Sequence, residues 1–240
     1  MRGTVPSITL SRHVLVLALD TTTRSGSAAV VSDGELLCEI VGDGSRTHGE
    51  RLPRDLMRVL EAASVGLESI DLLAVAAGPG SFTGLRVGIA AMQGLAMSTG
   101  LKIVPISALD ALAAAAGDGS APVAAWIDAQ RGEVFAALYD GSGRRVLIEP
   151  SSLPPIRTLE AWEGALRDEV RIIGDGAARY EDAIRERLGG RAQVLATPPI
   201  AGVIGRLAAA SPSRAVPPHA VVPIYIRRPD VELARSRRVP

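Results

Sequence analysis

Residues 78–100 read GPGSFTGLRVGIAAMQGLAMSTG, a glycine-punctuated turn running into a helix pattern. Residues 72–77 before them (LLAVAA) form an apolar run of strand length, closed by the turn signal Gly78-Pro79-Gly80. A helix is expected from Thr83 to about Ser98, with Ser81 or Thr83 as its cap and Gly100 as its stop. Gly80, Gly84 and Gly88 recur every four residues, and Ala91 and Leu95 continue the line, so all five share one helix face. Each interior glycine costs a helix roughly 1 kcal/mol relative to alanine. Close approach of another backbone is the usual compensation. Leu85, Ile89, Met92 and Ala96 form a second stripe about 110° away. The expectation is that the Leu85 stripe covers the sheet and the glycine stripe receives a helix of another chain; packing of the glycine stripe within the chain, on its sheet, is the competing reading. Leucine at Gly84 or Gly88 would then abolish pairing and leave the fold intact.

Upstream, residues 14–20 (VLVLALD) are apolar enough for a strand buried on both faces. Strands at 27–32 and 35–41 flank the hairpin signal Asp33-Gly34. Thr47 and Glu50 fit a capping box for a helix reaching about Ser64. Leu52, Leu56, Val59 and Ala63 share its apolar face, Arg51, Arg54, Arg58 and Glu61 point away, and Pro53 is placed to kink or delay it.

Downstream, a strand at 101–105 and a short Ala-rich helix capped by Ser107 close the first half. The second half repeats the plan. It has strands at 123–128, 133–140 and 144–149, a helix at 158–167 and a strand at 170–173. A loop at 174–177 leads to helices at 178–188 and 200–210, with a strand at 193–195 between them, and the tail holds a short strand at 222–226. The organisation read from this pattern is a loose leader (1–13), an N-terminal lobe (14–106), a C-terminal lobe (107–215) and a Pro/Arg-rich tail (216–240). It is a two-lobed α/β chain with a duplication of pattern, not of residues.

Composition bounds the chemistry. The chain has 240 residues, 26 basic and 26 acidic, so taken whole it is no basic nucleic-acid binder. Lys102 is the only lysine and lies outside any glycine loop, which excludes a Walker A site. Cys38 is alone, which excludes an internal disulfide or a cysteine-rich zinc site and fits a reducing cytoplasm. No run reaches the ~18 apolar residues of a membrane span.

Asp20-Thr21-Thr22-Thr23 ends the first strand, where an acidic residue handles metal and phosphate in sugar kinases; a plain β-turn is the competing reading. Gly176, in Gly174-Asp175-Gly176-Ala177, is a weak nucleotide-contact candidate. Ser81 sits at a strand-to-helix turn, but Pro79 breaks the nucleophile-elbow pattern. The histidines are His13, His48 and His219, and no His-x-x-x-His metal pair exists. Neither a catalytic residue nor a metal ligand is assigned, and no cofactor is expected.

Four blocks carry a family resemblance: LALDTTTRSGS (17–27), GPGSFTGLRVG (78–88), IDAQRGEVFAALY (127–139) and IYIRRPDVE (224–232). Together they resemble the bacterial TsaB family, once called YeaZ. The resemblance implies a two-lobed actin/Hsp70/sugar-kinase-like fold (ASKHA, ribonuclease H-like). It also implies a non-catalytic relative of TsaD, the enzyme that places threonylcarbamoyl on N6 of adenosine 37 of tRNA. TsaD-type proteins hold a metal with two histidines one helical turn apart, a motif this sequence lacks. The implied partners are TsaD as a heterodimer and TsaE in the larger complex, with a homodimer as a further possibility and tRNA met only through the complex.

In that family the first two helices form the pairing surface, which here assigns Leu52, Leu56, Val59, Gly80, Gly84, Arg86, Gly88, Ala91 and Leu95 to the interface. A cytoplasmic protein without membrane contact is implied. The alternative is an enzyme of the same fold, a nucleotide-dependent transferase or metallopeptidase-like protein. A third reading is direct tRNA binding through Arg227, Arg228, Arg235, Arg237 and Arg238.

Overall fold

A computed structural model describes residues 14–166 and 168–227. The first half runs β1 (Leu15–Asp20), β2 (Ser27–Ser32), β3 (Glu35–Val41), α1 (His48–Ala62), β4 (Leu72–Gly78), α2 (Phe82–Thr99), β5 (Ile103–Ser107) and α3 (Ala108–Ala115). The second runs β6 (Val123–Asp128), β7 (Val134–Tyr139), β8 (Val146–Leu153), α4 (Pro155–Ala161), β9 (Val170–Ile173), α5 (Asp175–Arg179), α6 (Glu181–Leu188), β10 (Ala192–Val194) and α7 (Ala201–Ala210).

The strand orders are β3-β2-β1-β4-β5 and β8-β7-β6-β9-β10, so the second sheet repeats the topology of the first. In each, two antiparallel hairpin pairings lead into parallel pairings made through helical crossovers. The duplication read as pattern is a duplication of topology.

Alternation along the strands sorts side chains into three apolar layers. Leu17 and Leu19 of β1 point toward α1 and α2, while Val16 and Ala18 point between the sheets. Ala124 and Trp126 of β6 point outward toward α4, α5 and α6, and Val123, Ala125 and Ile127 point inward. This explains why β1 and β6 lack a polar alternation: both faces are covered.

The Ala-rich helices α3 and α7 fill the space between the sheets, where small side chains let both sheets approach. Helix α7 packs on β1, β2 and β4 of the first sheet, so its contacts lie with the N-terminal half although its place in the chain is C-terminal. Two free N–H groups at its start are met from that half: Ala201 N donates to Ser27 Oγ at 3.0 Å and Gly202 N to Glu39 Oε1 at 3.0 Å.

Local expectations fare unevenly. The Glu50 carboxylate accepts from Thr47 N at 2.8 Å and Thr47 Oγ1 at 2.7 Å, at the capping-box position. Helix α1 runs through Pro53 without a break. Gly100 stops α2 in the left-handed conformation, with φ 76°. Residues 222–226 form no strand; that segment makes one backbone bond to the sheet, Ile224 N to Ala77 O at 2.7 Å. The 174–177 stretch opens helix α5 rather than looping. The leader 1–13, His13, Arg167 and the arginines after position 227 lie outside the described residues.

Candidate functional site

A cleft of about 950 Å³ lies between the halves. One wall is built by 22–24, 44–49 and the start of α2; the other by the β6–β7 turn and Asp175; residues 224–227 run along it.

Asp20 ends β1 below this wall and is not part of the lining. Its Oδ1 accepts from Thr22 N at 2.8 Å and from Thr22 Oγ1 at 2.6 Å. It is 3% exposed, and burial pushes its carboxyl up to about 6 against the lowering effect of those hydrogen bonds. It is a turn-closing residue, as the β-turn reading has it.

Gly176 also stays out of the cleft. A methyl group there would lie 2.9 Å from the Ile127 carbonyl carbon, so this glycine seats α5 on β6. The neighbouring Asp175 does face the cleft, accepting from Asp128 N at 3.0 Å. Burial and the nearby Asp128 raise its pKa.

Asp128 organises the opposite turn. Its Oδ1 accepts from Gln130 N at 3.0 Å, and its Oδ2 from Gln130 Nε2 at 2.8 Å and Arg179 Nη1 at 2.9 Å. Those bonds hold Gln130 and Arg131 at φ 60° and 57°, a left-handed pair that costs a non-glycine backbone free energy.

His48 is fully engaged. Its Nε2 lies 3.0 Å from Thr23 O, and its Nδ1 lies 2.9 Å from Arg51 Nη2. A guanidinium only donates, so Nδ1 accepts and Nε2–H donates, which is the neutral tautomer. Burial, reinforced by the Arg51 charge, lowers its pKa. Neither ring nitrogen is left for a metal or a proton transfer.

Arg51 is the residue the helical wheel misplaced. It is 4% exposed, paired with Asp55 at 2.5 Å and bonded to the backbone oxygen of Ser25. The pairing in the sequence, Arg51 and Asp55 one turn apart, was its visible signal.

Ser81 caps α2, its Oγ accepting from Gly84 N at 3.3 Å. Among the described residues no group of three or more His, Cys, Asp or Glu is placed to hold a metal, and no helix is long and apolar enough to cross a membrane.

The outer faces of α1 and α2 differ from the expected interface. Leu52 (3% exposed) and Val59 (0%) are core residues under α1. Gly84 and Gly88 are buried against the chain's own β1–β2 turn: a methyl group on Gly88 would lie 2.1 Å from Thr21 Oγ1. Gly80 meets the same turn, at 2.6 Å from Thr22 Cβ. The close approach inferred from the stripe therefore exists, but within one chain. The α2 face that remains open carries Phe82, Arg86, Ala90, Gly94 and Met97, with Ala91 and Leu95 half-buried along its edge. Met57 of α1 is exposed and Leu56 half-buried.

Residues 42–160 match the family model described as TsaD, tRNA N6-adenosine threonylcarbamoyltransferase. The chain is 40% identical over 126 residues to a tRNA threonylcarbamoyladenosine biosynthesis protein, TsaB, of Haemophilus influenzae; the match takes in 52% of this chain and spans about half the length of that relative, 53%. The solved structure of YeaZ from Pseudomonas aeruginosa superposes with a TM-score of 0.73 at 31% identity, covering 88% of this chain and 99% of that one. This chain belongs to the TsaB (YeaZ) family.

The (R)-2-hydroxyglutaryl-CoA dehydratase component A of Acidaminococcus fermentans shares the fold alone, with a TM-score of 0.51 at 13% identity over 83% of this chain and 99% of that one. The duplicated sheets and these likenesses identify the two-lobed actin/Hsp70/sugar-kinase-like architecture. The TsaB-family block at 224–232 is described only as far as Arg227. Its part in the cleft was invisible to pattern reading, because its contacts are tertiary and it forms no regular element.

Proposed function

We propose that this chain is a non-catalytic subunit of tRNA threonylcarbamoyladenosine synthesis that pairs with TsaD and engages TsaE, acting in the cytoplasm and meeting tRNA only through the complex. Membership of the TsaB family supports the pathway. The observation that carries the subunit role is the open face of α2. Met97 is 77% exposed and Phe82 43%, and Ala90 and Gly94 between them leave a low surface on which a second helix fits. Met57 of α1, 53% exposed, adds apolar area. The same face serves a homodimer when TsaD is absent.

Two acid and base candidates of the first half, Asp20 and His48, support the non-catalytic part, while Asp175 is the carboxylate that faces the cleft. Asp20 closes its own turn, and His48 spends both ring nitrogens. Catalysis needs such groups available at the substrate. Arg227 supports protein architecture rather than tRNA contact, since it pairs with Glu133 at 3.0 Å.

The test is reconstitution of the modification with TsaD and TsaE, with and without this chain, scoring modified tRNA. Loss of product on omission, and its return with an Asp20→Asn variant, is the expected result. Full product without the chain, or none with Asp20→Asn, overturns the reading. An enzyme acting in the 950 Å³ cleft is the second reading; tight nucleotide binding by the isolated chain would favour it.

A further inference from the structure

The segment after α7 crosses from one half of the molecule to the other. Val221 is buried in the layer beneath α2, where Gln93 Nε2 donates to Pro218 O at 2.8 Å and Val221 O at 3.1 Å. Ile224 N then donates to Ala77 O at the end of β4. Gly78, at φ 119°, accommodates this crossing: a methyl group there would lie 2.7 Å from Ile224 O. Next, Tyr225 Oη accepts from Arg86 Nε at 3.1 Å, and its ring lies 5.7 Å from Phe82. The Arg86 guanidinium also stacks 3.9 Å over Phe82. Two residues on, Arg227 reaches the second half. Its Nη1 donates to Glu133 Oε2 at 3.0 Å and its Nη2 to Ala129 O at 3.3 Å.

Each end of this segment grips a responsive feature. Ala129 and Glu133 are the two ends of the β6–β7 turn, joined by Ala129 N to Glu133 O at 3.0 Å, and the turn holds the left-handed pair Gln130 and Arg131. At the other end, Phe82, Arg86 and Tyr225 are all exposed, so a molecule on α2 can reach them. Between the ends, one backbone bond joins the segment's middle to β4, and the half-buried Ile226 packs against the apolar layer between the sheets. So short a run, without ladder pairing, moves as a unit.

We propose that residues 222–227, anchored at the buried Val221, are a strap that couples the start of α2 to the β6–β7 turn across the cleft. The strap has a seated state, with both arginine contacts made, and a lifted state, with both lost. A ligand that takes Arg86 from Tyr225 favours the lifted state and loosens the turn, which then keeps only its own bonds, those of Asp128 and Ala129–Glu133. By reciprocity, a ligand that holds the turn favours seating and orders the Phe82–Arg86–Tyr225 cluster. The coupling is a property of this chain by itself and does not depend on the assembly proposed above.

Hydrogen exchange read by mass spectrometry on the full chain tests it, comparing the wild type with Arg86→Ala and Arg227→Gln. Each substitution is expected to speed exchange at both ends, in peptides covering 129–134 and 222–226, by about fivefold or more, the lower end of an ordinary coupling free energy. Peptides from β1 and β6 serve as the folding control and stay protected. Tyr225→Phe, which keeps the ring stack and deletes the hydrogen bond, replaces Arg86→Ala if that variant loses β1 protection. If Arg86→Ala or Tyr225→Phe leaves 129–134 at the wild-type rate while β1 and β6 stay protected, the strap is not a coupling element.

Discussion

A methyl group on Gly84 would lie 2.2 Å from the carbonyl oxygen of Thr21. Backbone meets backbone there, so no rotamer change relieves the contact. Gly84→Ala gains about 1 kcal/mol of helix propensity and loses about 1–3 kcal/mol to overpacking, for a net loss of stability. Gly94 on the same helix is exposed and has nothing within 4 Å of such a methyl. Gly94→Ala therefore stabilises by up to about 1 kcal/mol. Urea unfolding of the two variants reads opposite signs; a shared sign contradicts the geometry. Leucine at Gly84 or Gly88 disrupts the fold itself, where the sequence pattern had promised an intact monomer that fails to pair.

That reversal marks where the sequence stopped being legible. The spacing of Gly80, Gly84 and Gly88 correctly announced a close backbone approach, because period and residue size are local properties. Which backbone approached was decided by the β1–β2 turn, some sixty residues away, and no helical wheel contains it. Strand alternation fared better: the two apolar faces of 14–20 foretold a strand covered on both sides, as β1 is. Arg51 went the other way. A wheel places it outside with Arg54, but its charge is satisfied by Asp55 and the Ser25 carbonyl, which makes burial tolerable. The strap read as a short strand at 222–226, but it makes one backbone bond to the sheet and no ladder, since its stability comes from side-chain contacts to two distant elements.

Asp20 predicts an unusual pH profile. Its pKa is 3.8 by reference and about 6 in the fold, so the folded state binds the proton more tightly. Its contribution is fully favourable below 3.8 and is lost as pH rises through about 6. Asparagine keeps an Oδ1 acceptor for Thr22 without the charge. Asp20→Asn is expected to be more stable than wild type by about 3 kcal/mol at pH 8, from roughly two pKa units at 1.36 kcal/mol each, and equal to it near pH 3.5. Denaturant titrations at the two pH values check this; a pH-independent difference between the proteins rules it out.

His48 has the opposite sign. Its folded pKa lies below 6.5, so the unfolded chain takes up the proton first and stability falls as pH drops through 6.5 toward the folded value. Protonating Nδ1 would also set a positive ring against Arg51. Nitrogen-detected NMR of the imidazole is expected to show the Nε2–H tautomer and a midpoint below 6.5. A midpoint at or above 6.5, or an Nδ1–H tautomer, would show that the link from Arg51 to Thr23 is not formed.

The assembly reading stands or falls on which α2 residues a partner touches. Ala90 and Met97 lie on the open face, and Met97 at 77% exposure contributes little to the core. Met97→Glu and Ala90→Arg are expected to keep stability within about 0.5 kcal/mol and to weaken TsaD binding by about tenfold or more. Leu52→Ala separates this effect from simple unfolding. Leu52 is 3% exposed, so its truncation costs about 2–5 kcal/mol of stability while leaving the open face unchanged. Calorimetric titration with TsaD below the melting temperature of each variant distinguishes them. Wild-type affinity in both Met97→Glu and Ala90→Arg would remove the α2 face from the interface. A loss confined to Leu52→Ala would mean that pairing reports only how well the first half is folded.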